Sequence, residues 1–377
     1  MRLLTITHYP ALLGANRSLL HLVIGLRDLY GVEILVFCPK AGPFTEALQK
    51  NGIPFIITPF VNWAYTIRSF GLLKFPLKWH QYKETVLPNI LERVISFNPD
   101  VIHSNSSAVA LGWQIAESLR KPHIWHIREF GWKDYQLVFP LGRKRLLEKL
   151  QQASAVICIS RAIAKEYAAA IEHPHIIYNG IGTTATIKNN FQTGQQATYP
   201  DALFHYLIIG LLQPSKRQHD ALTAFARVYK KHPNVRLMVV GNGQRLYTLR
   251  LKLIARWLGI ASAVEFTGYV PLPGPIYAAA DIVLICSHYE AMGRVTAEAM
   301  SYGKPVIGYN GGATPELIED GVNGWLYNDV TGLAEKMEAA YLLREKCAEM
   351  GKNGVKTALE KFSDEVYVRR FYETIFA

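Results

Sequence analysis

Short apolar runs alternate along this chain with longer stretches in which apolar positions recur every three or four residues. Leu3–Thr7, Val32–Cys38, Val101–His103, His123–His126 and Ala155–Ser160 read as buried strands. Asn16–Leu29, Phe44–Lys50, Ala108–Leu119 and Ser160–Ala170 read as the helices between them. A second series follows, with strands at Phe204–Ile209, Val235–Val240, Val264–Phe266, Ile282–Cys286, Pro305–Gly308 and Gly324–Tyr327. Its helices are predicted at Ala221–Lys231, Leu246–Leu258, Gly293–Tyr302 and Pro315–Glu319. Such alternation implies α/β architecture with doubly wound parallel sheets. Between the two series lies "TTATIKNNFQTGQQATYPD" (Thr183–Asp201), polar and without apolar periodicity, which reads as a linker. The expected domains are therefore 1–183 and 202–362 with a linker at 184–201. A final helix at about 363–377 is expected to pack back on the first domain. Two such sheets facing across a cleft would place a ligand at the carboxyl ends of their strands.

Composition sharpens this picture in a few places. At 377 residues the chain is long for one core, which favours two domains. Half of it is hydrophobic and 19% charged, a globular balance. Cys38, Cys158, Cys286 and Cys347 are scattered without paired or zinc-like spacing, and three of them sit in apolar runs. The opening "MRLLTITHYP" carries no secretory pattern, and no run of about 18 apolar residues occurs, so a cytoplasmic location is expected. The net charge of +11 is uneven. Residues 1–180 hold 20 Lys+Arg against 12 Asp+Glu, while residues 181–377 hold 21 against 18. The excess in the first half points to an anionic partner. Nucleic acid is not expected, because no recognised binding motif accompanies the charge.

The chemistry concentrates in "HYEAMGRVTAEAMSYGKPVIGYNGG" (His288–Gly312). Glu290 follows the strand "DIVLICS", Gly293 permits close backbone approach, and Glu298 falls about one and a half turns into the next helix. The N–H groups at that helix start (Gly293, Arg294, Val295) form a site for an anion such as a diphosphate. A carboxylate further in can accept from two vicinal hydroxyls, and one ahead of the helix can reach hydroxyls beyond the anion. The spacing suits a ligand of the form sugar–diphosphate–ribose. The bland alternative makes Glu290 a surface loop residue, Glu298 a solvated helix residue and Gly311–Gly312 a plain turn.

The longer segment "EAMGRVTAEAMSYGKPVIGYNGGATPELIEDGVNGWLYN" closely resembles the signature of family 4 glycosyltransferases. These are retaining sugar-transfer enzymes of the GT-B fold, built from two Rossmann-like domains, with an E-x7-E motif. "VVGNGQRLYTL" and "VEFTGYV" resemble the family's nucleotide-side segments, and "VICIS" and "IIYNGI" its strand ends before the interdomain crossing. "GLLQPSKRQHDALTAFA" resembles its phosphate-binding turn. The resemblance implies that Glu298 holds the ribose hydroxyls. Glu290 and the amides of Ala291, Met292 and Gly293 would hold the donor sugar, and the amides of Arg294 and Val295 the diphosphate. Lys216 would neutralise that diphosphate as it leaves, the backbone near Tyr269 would face the base, and Gly14 and Ala15 in "LLGANRSL" would match the glycine-bearing first loop. One departure is that Leu211 and Leu212 follow Gly210 where the family commonly has an arginine. Lys216 must then supply the charge, helped by Arg217 or by Arg128 from elsewhere. Adjacent basic residues such as Lys216 and Arg217 are otherwise a solvated turn, and Gly14 otherwise only enables the first turn. In "PHIWHIREFGW", His126 stands where the family often places a histidine near the transferred sugar; the alternative is an ordinary strand-end histidine.

No D-x-D triplet or His/Cys ligand cluster occurs, so phosphate binding without metal or cofactor is expected. The expected reaction is retaining transfer of a sugar from a nucleotide-diphosphate sugar to a hydroxyl of a glycan or lipid-linked acceptor. Alternatives are a sugar-nucleotide epimerase or phosphorylase of the same fold, and a non-catalytic sugar-nucleotide sensor. Finally, "TIRSFGLLKFPLKWHQYK" (Thr66–Lys83) mixes aromatic and basic residues with no acid. It fits a peripheral contact at the inner face of an anionic membrane, aromatics down, or else an amphipathic helix covering the first domain's own core.

Overall fold

The computed structural model describes residues 1–67, 69, 71–197 and 203–376. Its strands in chain order are β1 (Arg2–Ile6), β2 (Glu33–Cys38), β3 (Phe55–Ile57), β4 (Tyr65–Thr66), β5 (Val101–Ser104), β6 (His123–Ile127), β7 (Leu137–Val138), β8 (Ala155–Cys158) and β9 (His175–Ile176). The later strands are β10 (Phe204–Ile209), β11 (Val235–Val240), β12 (Val264–Gly268), β13 (Ile282–Ile285), β14 (Val306–Tyr309) and β15 (Gly324–Tyr327). The chain divides into two compact units, Met1–Gly180 with Asp364–Ala377, and Ile181–Ser363.

The first unit is a seven-stranded parallel sheet in the order β3-β2-β1-β5-β6-β8-β9, with β4 and β7 paired antiparallel apart from it. Its strands bury both faces, which is why they read as unbroken apolar runs. Leu3, Ile34, Val36 and Ile124 point to one face, where the helix Gly14–Tyr30 and the final helix Asp364–Phe376 pack through Leu19, Leu22, Tyr367, Val368 and Phe371. Leu4, Ile6, Leu35, Phe37 and Ile102 point to the other, under Tyr82, Ile90, Val94, Leu111 and Ile115.

The second unit is a six-stranded parallel sheet, β12-β11-β10-β13-β14-β15. The chain runs outward from β10 through β11 to β12, then restarts at β13 on the other side, so the order reverses between β10 and β13. That switch point opens a crevice at the strands' carboxyl ends.

Two expectations need correction. Most of the stretch read as a linker is a helix, Thr184–Gln196, within the second unit. Thr183 caps it by accepting from the Thr186 N–H, Ile187 is fully buried, and Lys304 Nζ donates to the Gly194 carbonyl at 2.9 Å. Ile187, Phe191 and Gly194 lie on one side at helical spacing, but two large apolar side chains in 13 residues make a faint signal. Residues 198–201 of that stretch lie outside the described residues. The segment Thr66–Lys83 forms a helix over Gly71–Gln81 that continues through a wider turn at Tyr82–Val86 into Leu87–Phe97. Its aromatics turn inward: Phe75 and Tyr82 are buried, and Tyr65, Phe75, Trp79 and Tyr82 follow one another at ring separations of 6.0, 5.3 and 5.8 Å. The aromatics-down arrangement is thereby overturned, because these rings cover the first unit's own core. Leu73, Lys74, Leu77, Lys78 and Lys83 face outward. Arg68 and Phe70 lie outside the described residues.

Candidate functional site

In the second unit, the turns after the strands bring the sequence-predicted residues to one edge of the sheet. After β10 the chain enters a single tight turn at Pro214–Lys216, then passes through Arg217 in the left-handed conformation (φ 51°) into the helix Gln218–Lys231. Lys216 Nζ donates to Glu290 Oε2 at 2.7 Å. Glu290 lies in the loop after β13, so this ion pair straddles the switch point between β10 and β13. Both side chains keep some exposure, 33% for Lys216 and 17% for Glu290, so both remain reachable. Arg217 is engaged differently: its Nε and Nη2 donate to Asp220 Oδ2 and Oδ1 at 2.6 and 3.3 Å. Asp220 is buried, and sequence reasoning missed it, although an acid three residues after an arginine in a helix's first turn is a recognisable signal.

From Glu290 the backbone passes Ala291 and the buried Met292 to Gly293, whose φ of 91° favours glycine. The helix Arg294–Ser301 then starts without a side-chain cap. Val295 lies in its first turn, where N–H groups lack partners within the helix. Glu298, on the same helix, accepts from Arg294 Nε at 2.8 Å and from the Tyr277 hydroxyl at 2.9 Å. It is half-buried rather than solvated. Tyr277, from the helix Gly274–Ala279, is a second partner the sequence did not reveal.

The double glycine after β14 has a steric cause. Gly312 takes φ 57°, and a Cβ there would stand 2.6 Å from the Glu290 nitrogen and 2.7 Å from its carbonyl oxygen. The Ala313 N–H donates to that carbonyl at 2.8 Å. The loop after β14 therefore seats the Glu290 backbone. Beside it, His288 stacks on Tyr309 with centroids 3.7 Å apart, and burial followed by the Arg217 charge lowers the His288 pKa. At the end of β12, Tyr269 is exposed and its N–H donates to Asn242 Oδ1 at 3.1 Å, which ties the β11 and β12 turns together.

The first unit supplies the remaining expected residues. Gly14 opens the helix Gly14–Tyr30 with Ala15 beside it, and a Cβ on Gly14 would meet nothing within 4 Å. What shapes that loop is the buried Asn16. Its Oδ1 accepts from the Thr7 hydroxyl at 2.5 Å, and its Nδ2 donates to the Tyr9 and Ala11 carbonyls at 2.9 and 2.8 Å.

His126 is not at a surface. It is fully buried on the face of β6 that it shares with Ile124, stacked on Phe371 and beside Tyr367 of the final helix. Its Nδ1 lies 3.3 Å from both His103 Nε2 and Arg128 Nη2, and burial, then Arg128, then His103 push its pKa well below the ordinary value. The placement of His126 near a transferred sugar is corrected accordingly: it is a neutral core histidine. Arg128 is also committed inside the first unit, donating to Asn105 (2.6 Å), Asn179 and the Tyr367 hydroxyl (3.0 Å). Sequence reasoning also passed over Glu129 in the same "HIREF" run. Its carboxylate is buried, receives the Ser106 hydroxyl and the Ser107 N–H and hydroxyl, and has its pKa raised chiefly by burial. Among the described residues no group of three or more His, Cys, Asp or Glu is arranged to hold a metal ion, and no helix is long and apolar enough to cross a membrane.

Comparison with known proteins covers nearly the whole chain. Residues 13–185 match Glycosyltransferase Family 4, and residues 191–357 match Glycosyl transferases group 1. The N-acetyl-alpha-D-glucosaminyl L-malate synthase of Bacillus anthracis is 28% identical over 60% of each chain. The D-inositol 3-phosphate glycosyltransferase of Segniliparus rotundus is 35% identical over 40% of this chain and 35% of that one. The match thus spans 60% or less of these relatives' own length. The alpha-monoglucosyldiacylglycerol synthase of Acholeplasma laidlawii is 22% identical over 96% of this chain and 93% of its own. Among solved structures, Anabaena HepE in complex with UDP-glucose superposes with a TM-score of 0.78 at 24% identity, covering 100% and 99% of the two chains. Sucrose-phosphate synthase from Thermosynechococcus elongatus gives 0.74 at 17%, with the same coverage. These likenesses show the fold.

Proposed function

Because the chain belongs to the family 4, group 1 glycosyltransferases and has their GT-B fold, we propose that it transfers a sugar from a nucleotide-diphosphate donor to an acceptor hydroxyl, with retention and without metal. The observation that carries this reading is the Lys216–Glu290 pair across the switch point, next to an uncapped helix start. In this reading the amides of Arg294 and Val295 take the diphosphate, Glu298 takes the ribose hydroxyls, and Glu290 with the amides of Ala291, Met292 and Gly293 takes the donor sugar. The Tyr269 backbone faces the base. Arg217 acts through its charge and through Asp220.

Lys216 has three donors and spends one on Glu290, which leaves N–H groups for a phosphate oxygen. As the bond from the anomeric carbon to the β-phosphate oxygen breaks, negative charge grows on that oxygen, and a fixed ammonium and helix terminus stabilise it. The acceptor oxygen forms its bond on the face the phosphate leaves, and its proton passes to the departing phosphate. No separate general base is then required.

The names of the relatives support the substrate class. HepE is described with UDP and UDP-glucose, and synthases from Acholeplasma laidlawii and Streptococcus pneumoniae are named for a glucosylated diacylglycerol. A UDP-sugar donor and a glycan or lipid-linked acceptor in bacterial surface glycan or glycolipid assembly follow as the specific proposal. The site of action would be the cytoplasmic side of a membrane, reached peripherally.

A thermal-shift screen with UDP, GDP, ADP and their sugars is the first test, since a ligand of the native state raises its melting temperature. A shift with nucleotide diphosphates, then transfer with retained anomeric configuration in excess EDTA, is the expected result. Absence of any shift, conversion of the donor without acceptor, or rescue of an EDTA-treated enzyme by Mg²⁺ would overturn it.

A further inference from the structure

The helix Arg245–Trp257, between β11 and β12, has more apolar surface than its fold uses. Tyr247, Leu251 and Ala255 are buried in the second unit's core, with Ile254 and Leu258 packed alongside. A surface helix of this kind ordinarily turns polar residues outward. Here Leu246, Leu249, Leu253 and Trp257 are 81%, 53%, 52% and 85% exposed. At about 100° of turn per residue these four fall in one stripe along the outer surface. The same geometry sets Arg245, Lys252 and Arg256 along one flank of the stripe and Arg250 along the other. No Asp or Glu occurs between Asp220 and Glu265, a stretch that also carries Arg227, Lys230, Lys231 and Arg236.

We propose that this outer face of Arg245–Trp257 docks on an anionic lipid bilayer. The helix would lie in the plane of the headgroups, with the three leucines in the acyl boundary and Trp257 at the polar interface. The four cations would then meet lipid phosphates. Cations on both flanks of an apolar stripe complement an anionic bilayer on both sides at once. A tryptophan at the end of the stripe suits an interface that is apolar below and wet above. This surface is separate from the Thr66–Lys83 segment, and it goes beyond the proposed sugar transfer, which does not depend on it.

The experiment is co-sedimentation of the full chain with phosphatidylcholine vesicles, with and without phosphatidylglycerol, over a salt series. Wild type is expected to bind only the anionic vesicles and to release as salt screens the charges. R250E/R256E should weaken binding roughly tenfold or more, given the per-cation attraction at such a surface. L249S/L253S/W257S should remove most of what remains even at low salt, whereas K74E/K78E/K83E, in the first unit, should keep it. Unchanged binding of L249S/L253S/W257S overturns the proposal. So does a wild-type dimer that this variant turns into a monomer with vesicle binding intact, which would assign the stripe to a second copy. Each variant's thermal shift with UDP is read in parallel. A lost vesicle interaction with the shift retained separates failure of docking from failure of the sugar-transfer reading.

Discussion

Replacing Glu298 with alanine removes one acceptor from two protein donors at once. The Tyr277 hydroxyl at 2.9 Å belongs to a side chain that is 2% exposed, so that hydrogen bond to a charged group contributes about 1.5–3 kcal/mol. The Arg294 pair at 2.8 Å is one helical turn away and partly solvated, which adds about 0.5 kcal/mol. E298A should therefore loosen the helix Arg294–Ser301 by roughly 2–3.5 kcal/mol before any ligand is considered. Loss of a carboxylate acceptor for two ribose hydroxyls should take a further 1.5–3 kcal/mol or so from nucleotide binding, roughly 10- to 150-fold in Kd. The two effects separate by assay and by control. Hydrogen exchange over residues 294–301 reads the local loosening, and calorimetric titration with UDP reads the affinity. Y277F removes the hydroxyl but leaves the carboxylate in place, so it should cost stability while UDP affinity stays near wild type. If E298A loosens the helix and binds UDP as wild type does, Glu298 is a brace between two helices and its ribose role is wrong.

Lys216→Ala should lower kcat more than it raises KM, because the phosphate's charge grows toward the transition state; a change in KM alone would refute the leaving-group role. Gly312→Ala drives a Cβ to 2.6 Å from the Glu290 nitrogen at a φ of 57°, so it should cut activity sharply. Gly321→Ala, at φ 79° with open space around it, should cost only about 1–2 kcal/mol of backbone strain, and equal activities for the two would refute the seating of Glu290. Ile187→Ala should destabilise the second unit by about 2–5 kcal/mol in urea unfolding, where a linker position would change it by less than about 0.5. Acid should weaken the first unit: burial puts His8 at about 4, His123 at about 3, and His103 and His126 well below 6.5, so the unfolded chain takes up protons that the native state refuses. Their stabilisation is complete above about pH 6.5 and falls below it by up to about 1.4 kcal/mol per pH unit for each histidine. Asp134, pushed up to about 7, and the raised Glu129 oppose this, and four histidines against two acids leave a net loss. Equal urea midpoints at pH 7 and 5.5 would contradict it.

The parts of this molecule that were legible in its sequence are those whose cause is local. Strands buried on both faces are short apolar runs by necessity, and β10, β11 and β15 fall at their expected boundaries. The start of Arg294–Ser301 is marked by a glycine that the left-handed conformation needs. His126 was misplaced because its environment is not local. Its parity with Ile124 puts it on one face of β6, but only the final helix, bringing Tyr367 and Phe371, decides that this face is sealed. The inward turn of Phe75 and Tyr82 has the same origin, since the composition of Thr66–Lys83 fits a bilayer and a protein core equally well. Leu249 and Leu253 show the converse. Their run reads correctly as a helix, yet the window mixes a buried face with an exposed one, and only the folded unit separates them.

Lys216 and Glu290 lie between these extremes, 74 residues apart in sequence and 2.7 Å apart in space. Neither residue's surroundings in the chain announce the other. The order of the sheet does: a chain that leaves β10 for β11 and β12 must return to pair β13 on the free side of β10. Consecutive parallel strands are joined by right-handed crossovers, so the helices before and after that return fall on opposite faces of the sheet. Between them no crossover covers the carboxyl edge, and the loops after β10 and β13 have only each other to face. Glycine at 312, which lets the next loop close on the Glu290 backbone, fixes one side of that meeting. On the other side, Arg217 in the left-handed conformation, anchored by Asp220, fixes the turn that carries Lys216. The ion pair is thus positioned by topology and held from both sides by residues that need not touch a substrate. Substitutions at Gly312 or Asp220 should therefore disturb the chemistry of a site whose polar side chains they leave unchanged.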